Sequence, residues 1–185
     1  MKNLLGLMFL AIFLLSFTGC DEYEWERFRD SMSGLESDEE GIENRAAVAV
    51  PFKGKYTTYP EVSDPDEYGA IVAIIPSEGK ATHLGKSTWF SNSVVETNNG
   101  EPPWSQTGDM LFTAADGSTL VGEFTGISMY TEEYPFAGNG EYTITHGTDR
   151  FEGTTGSGKY FYVVNIIDGQ LVGDLKFEGE LNMAD

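Results

Sequence analysis

From residue 48 onward the chain is written in short alternating runs. In Leu171-Val172-Gly173-Asp174-Leu175-Lys176-Phe177-Glu178-Gly179-Glu180-Leu181, the positions Leu171, Leu175, Phe177 and Leu181 fall on one side. Asp174, Lys176, Glu178 and Glu180 fall on the other. A period of two predicts a strand with one dry face and one wet face. The stretch 160–167 (Tyr-Phe-Tyr-Val-Val-Asn-Ile-Ile) is apolar on both faces, which predicts cover on both sides or a protein contact. Valine, isoleucine, threonine and aromatic runs of this kind recur between glycine, asparagine and aspartate clusters, without a long helical period. They predict strands over about 48–58, 68–76, 81–91, 108–114, 119–126, 140–145, 158–167 and 171–179. Asp116-Gly117 and Asp168-Gly169 carry the signal of tight hairpins, so neighbouring strands run antiparallel. Eight strands joined by short links suit a closed barrel, which leaves no exposed sheet edge; a sandwich is the alternative.

The first part of the chain follows a different pattern. Lys2 precedes an apolar run over 4–17, followed by Thr18, Gly19 and Cys20. That run is shorter than the roughly 20 apolar residues a membrane-spanning helix needs, and it has the layout of a cleaved secretion leader. Phe17-Thr18-Gly19-Cys20 resembles the lipobox of bacterial lipoproteins, with Phe17 where leucine is most common. The resemblance implies cleavage before Cys20, lipid attachment at the Cys20 thiol and anchoring to a membrane of the cell envelope. Each buried acyl methylene contributes about 0.8 kcal/mol, so two or three chains hold a domain in place without an amphipathic surface of its own. Cys20 is the chain's one cysteine, which leaves the rest to fold without disulfides.

Residues 21–45 are dense in Asp and Glu and read as an extended, solvated tether. Trp25, Phe28 and Met32 lie at i, i+3 and i+7, on one face of a short helix that would be marginal in isolation. The acids directly after Cys20 resemble the surface-export signal of some Bacteroidota lipoproteins, which favours the outer membrane and leaves the leaflet open. The organisation expected is a lipoprotein signal peptide over 1–19, lipidated cysteine and acidic tether over 20–45, and one β-barrel domain over 46–185.

The 185 residues carry a formal charge of −19. Such a surface repels phosphates and argues against nucleic-acid partners. Its simplest meaning is solubility.

Three stretches carry a second resemblance: Ala81-Thr82-His83-Leu84-Gly85-Lys86-Ser87-Thr88, then Phe112-Thr113-Ala114-Ala115-Asp116-Gly117-Ser118-Thr119-Leu120, and Gly147-Thr148-Asp149-Arg150-Phe151-Glu152-Gly153-Thr154-Thr155-Gly156-Ser157-Gly158. They are similar to secreted bacterial proteins related in pattern to the allene oxide cyclase-like and dirigent-like barrels. The third departs from that pattern at Asp149 and at Thr154-Thr155. The resemblance spans roughly 46–181 and implies an all-β fold, a single antiparallel eight-stranded barrel of calycin-like type with an apolar interior. It carries over no catalytic residue. Arg150 is expected to pair with a carboxylate at the barrel rim.

Recognisable chemistry is sparse. Gly85-Lys86-Ser87 looks like the end of a phosphate-binding loop, but Lys80 stands where that motif requires glycine. Asp64-Pro65-Asp66-Glu67-Tyr68-Gly69 opens like a calcium loop, yet Tyr68 and Ile75 occupy ligand positions, so an acidic surface turn is expected. His83 and His146, the two histidines, do not share a metal-binding spacing. No serine sits in a nucleophile elbow. Trp89, Trp104, Tyr130, Tyr134 and Phe136 are candidates for an aromatic mouth, with packing as the plainer role. No cofactor and no metal is expected. The reading is a lipid-anchored envelope barrel, non-catalytic, holding a small apolar ligand or presenting loops to a protein partner; a third reading is an interaction module with 25–32 or 160–167 as its contact surface. The alternative is a cofactor-free isomerase or cyclase working on an apolar molecule in the barrel cavity, with His83 as its acid-base group.

Overall fold

The computed structural model describes residues 48–184. Cys20, the leader, the acidic tether and the Trp25-Phe28-Met32 stripe lie outside the described residues. Within them the strands are β1 (Val48–Thr58), β2 (Glu61–Val62), β3 (Ala70–Ala81), β4 (Gly85–Glu96), β5 (Trp104–Ala114), β6 (Thr119–Met129), β7 (Phe136–Gly147), β8 (Thr155–Ile167) and β9 (Gln170–Met183). Neighbours pair antiparallel in the order β1-β9-β8-β7-β6-β5-β4-β3, and β1 pairs again with β3. The result is a closed eight-stranded barrel, as the alternating pattern predicts.

Predicted strands stop short where glycine and proline interrupt the pattern. β3 runs on to Ala81 through Pro76, and β4 runs on to Glu96. Pro76 is tolerated because the seam opens beside it. β1 pairs with β3 down to Thr58↔Ser77, and β2 resumes at Glu61↔Ile74 in the same register. The interruption between them contains Pro60, so the missing N–H groups of two prolines fall at one break in the ladder. Tyr59 N still donates to Pro76 O at 3.0 Å. The two hairpins form as expected: Asp168 and Gly169 both adopt positive φ, 52° and 83°, between β8 and β9. A bulge lies opposite Val121 and Gly122, where Thr145 is the extra residue of β7.

Inward side chains fill one half of the barrel. Phe177 is the centre of the packing, with ring centroids 5.0 Å from Phe112, 5.4 Å from Tyr142 and 5.7 Å from Trp89. Tilted and edge-on contacts of this kind add about 0.5–1.5 kcal/mol each beyond the area they bury. The barrel end at the β3–β4, β5–β6 and β7–β8 connections is stoppered by Leu84 and by Phe151, which sits in a single 3-10 turn (Asp149–Phe151). Outside the interior cluster, Phe90, Leu111 and Val121 are outward-facing cross-strand neighbours and are buried too.

Arg150 locks the stoppered rim. Its Nε donates to Asp116 Oδ2 at 2.7 Å, its Nη1 donates to the His83 carbonyl at 2.6 Å, and its guanidinium lies 4.2 Å from the Phe151 ring centre. The carboxylate partner expected for it is therefore Asp116.

Candidate functional site

The opposite mouth is open. Strand ends at Thr58, Ile71, Val95, Gln106, Ser128 and Val164 surround a cavity of about 70 Å³ whose floor is Trp89, Phe124 and Phe177. A water needs only about 10–15 Å³ by the same kind of measure, so the space admits a small group rather than a single solvent molecule. Pro60 and Val62 close the side where the seam is interrupted, so the proline break in the ladder also shapes the wall.

Alternation along β8 delivers Tyr160, Tyr162 and Val164 to this cavity. The rings of Tyr160 and Tyr162 stack in parallel, 6.4 Å apart and 5° from coplanar. Tyr160 fits because Gly140, opposite it on β7, has no side chain: a Cβ there would stand 2.7 Å from the Tyr160 ring.

A short polar chain crosses the mouth. The Tyr162 hydroxyl donates toward Ser128 Oγ at 2.8 Å and Gln106 Oε1 at 3.2 Å, and Gln106 Nε2 donates to Ser93 Oγ at 3.0 Å. Two residues that line the cavity also carry a buried atom without a hydrogen bond, Trp89 Nε1 and Tyr160 Oη. Such groups are costly to leave unpaired in an apolar setting. Burial pushes the Tyr160 hydroxyl far above its usual pKa, with a further push from Tyr162, so it stays protonated as a donor. Burial raises Tyr162 as well, against its side-chain hydrogen bonds with Ser128 and Gln106, which lower it. Among the described residues, no charged side chain lines the cavity. The wall can pack an apolar molecule and offer it neutral hydrogen bonds.

The sequence candidates divide between the two barrel ends. Trp89 and Phe136 line the cavity, whereas Trp104 and Tyr130 pair edge-on at 5.7 Å outside it. Tyr130 also donates to Glu101 Oε2, and Trp104 Nε1 donates to Gly100 O at 2.7 Å. His83 stands in the exposed β3–β4 turn at the stoppered end, with Nε2 3.1 Å from Pro51 O, and does not line the cavity. His146 is on β7, with Nδ1 3.1 Å from Thr145 Oγ1. The alternative that put His83 in the barrel cavity as an acid-base group does not fit this placement, because its turn lies at the stoppered end.

Gly85-Lys86-Ser87 opens β4, as a strand start. In the acidic turn, Asp66 Oδ1 accepts from Tyr68 N at 2.9 Å and Ala70 N at 2.8 Å, so its carboxylate closes its own loop. Among the described residues, no three His, Cys, Asp or Glu side chains gather as a metal site. Sequence reasoning missed Gln106 and Ser128, which sit near strand ends with no motif around them. The inward alternation of Tyr160, Tyr162 and Val164 is the one local signal that could have pointed to this wall; the stretch 160–167 reads as apolar on both faces instead.

No protein-family model matches the chain, and neither a curated protein nor a solved structure is significantly similar to it. The class is set by architecture alone: an antiparallel eight-stranded barrel, stoppered at one end, with a small apolar cavity at the other.

Proposed function

We propose that this is a lipid-anchored protein of the bacterial cell envelope, held at Cys20, whose barrel binds a small apolar ligand without transforming it. The observation that carries the ligand reading is the cavity itself, open at one mouth and walled by aliphatic and aromatic side chains, with the polar groups of Gln106, Ser128 and Tyr162 at its edge. Apolar pockets with a few convergent polar groups are the usual form of small-molecule sites. The lipobox-like Phe17-Thr18-Gly19-Cys20 supports the anchor, and the similarity to allene oxide cyclase-like barrels supports an apolar occupant. The isomerase reading has less support: the cavity offers hydrogen-bond donors, but the histidine that would move a proton lies at the other end.

Trp89 is a built-in reporter, because its indole forms part of the cavity floor. Small apolar ligands are expected to change its fluorescence saturably, and Ala73→Phe, which fills the cavity from β3, is expected to abolish the change while the barrel still melts cooperatively. A filled variant that responds like the wild type would overturn the ligand reading. For the anchor, a palmitate analogue is expected to label the wild type and spare Cys20→Ser; equal labelling of both would remove it.

A further inference from the structure

The described residues contain six lysines, and five of them line a single groove of about 830 Å³ on the outer surface over β9, β1, β3 and β4. Four stand in register. Lys176 is opposite Lys55, Lys55 is opposite Lys80, and Lys80 is opposite Lys86. All four are exposed, and none makes an ion pair among the described residues. Like charges placed directly opposite one another on a sheet destabilise it, and they do so here in a chain whose formal charge is −19. Such a row is at odds with its own domain unless an anion lies along it.

The neighbouring row has the other character. Asp174 is opposite Thr57, Thr57 is opposite Glu78, and Glu78 is opposite Thr88. On the other flank Lys53 is opposite Glu178. The groove therefore has a single file of positive charge, about 14 Å long at the usual strand spacing, bordered by carboxylates and hydroxyls. We propose that this face binds a linear acidic polysaccharide, one carboxylate per sugar along the lysine file, with the sugar hydroxyls donating to Glu78 and Asp174 at its edges.

The geometry selects this partner over other anions. The lysines recur at the strand spacing of about 4.8 Å, and a linear polyuronate carries a carboxylate on every unit together with free hydroxyls for the bordering Glu78 and Asp174. An extended acidic peptide presents its same-face side chains about 6.8 Å apart and has no hydroxyls for the bordering carboxylates. It also cannot add as a strand on this face, because β9, β1, β3 and β4 each already have two neighbours. A flat anionic membrane would meet the acidic flanks as well as the lysine file. The site is independent of the cavity, which opens inside the barrel.

The test is binding of oligogalacturonate to the full chain at low salt, beside matched dextran, poly-glutamate and phosphatidylglycerol vesicles. Oligogalacturonate is expected to bind and dextran not to. Log affinity should fall with log salt at a slope of about −3 for four contacts. Lys55→Gln/Lys80→Gln should weaken binding by at least about tenfold, and Lys159→Gln, on β8 one strand beyond the file and opposite Glu178, should weaken it much less. The proposal is overturned by no binding to the wild type, by a salt slope near zero, or by full affinity in the double variant. Equal binding of poly-glutamate or of the vesicles also overturns it. Melting curves of both variants check that they are folded, and the wild-type salt slope decides the matter if one is not.

Discussion

The hydroxyl of Tyr142 lies so close over Gly179 that a Cβ on that residue would stand 2.6 Å away from it. Gly158 is opposite Gly179, and a Cβ there would stand 2.7 Å from the same oxygen. Two facing glycines thus make the slot into which one large ring lies flat, and the burial of Tyr142 follows from what its neighbours lack. Gly179→Ala is expected to destabilise the barrel by about 1–3 kcal/mol, as overpacking does. Gly100→Ala, where the nearest atom to a new Cβ is 3.5 Å away, should stay within about 0.5 kcal/mol. Chemical denaturation of the two variants measures the difference, and equal midpoints would remove the slot from the account.

Tyr162→Phe removes the donor that reaches Ser128 Oγ and Gln106 Oε1. Both acceptors are buried, so the loss should cost about 1–3 kcal/mol. Because Tyr162 also lines the cavity, the Trp89 response to ligand should change together with stability. A stability loss with an unaltered ligand response would confine Tyr162 to a packing role.

Alkaline pH should open the barrel. Burial raises the Tyr56 pKa to about 12, against the lowering effect of its hydrogen bond to Ser87, and burial pushes Tyr142 and Tyr160 higher still. The unfolded phenols ionise near pH 10. Between there and the folded values the native state holds more protons than the unfolded one, so stability is complete below about pH 10 and falls as pH rises. Circular dichroism and phenolate absorbance across that window should show the buried tyrosines ionising only as the fold is lost. Titration of all tyrosines near pH 10 with the fold intact would contradict the burial.

At the stoppered rim, Arg150→Ala should lower the melting temperature more than Asp116→Asn. The arginine change removes the His83 carbonyl contact and the Phe151 ring contact as well as the ion pair. The Asp116 carboxyl is held below its usual pKa chiefly by the Ser118 backbone N–H, so acidification alone should weaken the turn only as pH falls through its lowered value. Melting of the two variants side by side gives the order, and the reverse order would place the rim's strength in the Asp116 turn.

The all-β class, the eight main strands and both Asp-Gly hairpins were legible along the chain because each is local. Alternation reports which face of a strand is dry, and a turn residue reports a backbone angle. β1 was read over its full length; β3 and β4 were read short because Pro76 and the mixed polar run 91–96 look like strand ends. Only the closed sheet reveals that Pro76 falls beside the gap between β1 and β2. The cavity was legible only in part. Trp89 and Phe136 drew notice as aromatics, but Gln106, Ser128 and Tyr162 come from three strands and meet through barrel curvature and register, for which a single strand carries no signal.

What the sequence by itself determined is therefore everything that depends on neighbours along the chain: strand periodicity, turn chemistry and overall charge. What only the tertiary structure decided is which residues face each other across strands. It put His83 and the ligand cavity at opposite ends and brought Lys176, Lys55, Lys80 and Lys86 from four strands into one file. Register is a sum over many cross-strand contacts, so no single stretch of chain encodes it, and sites made by register become visible only when the sheet closes.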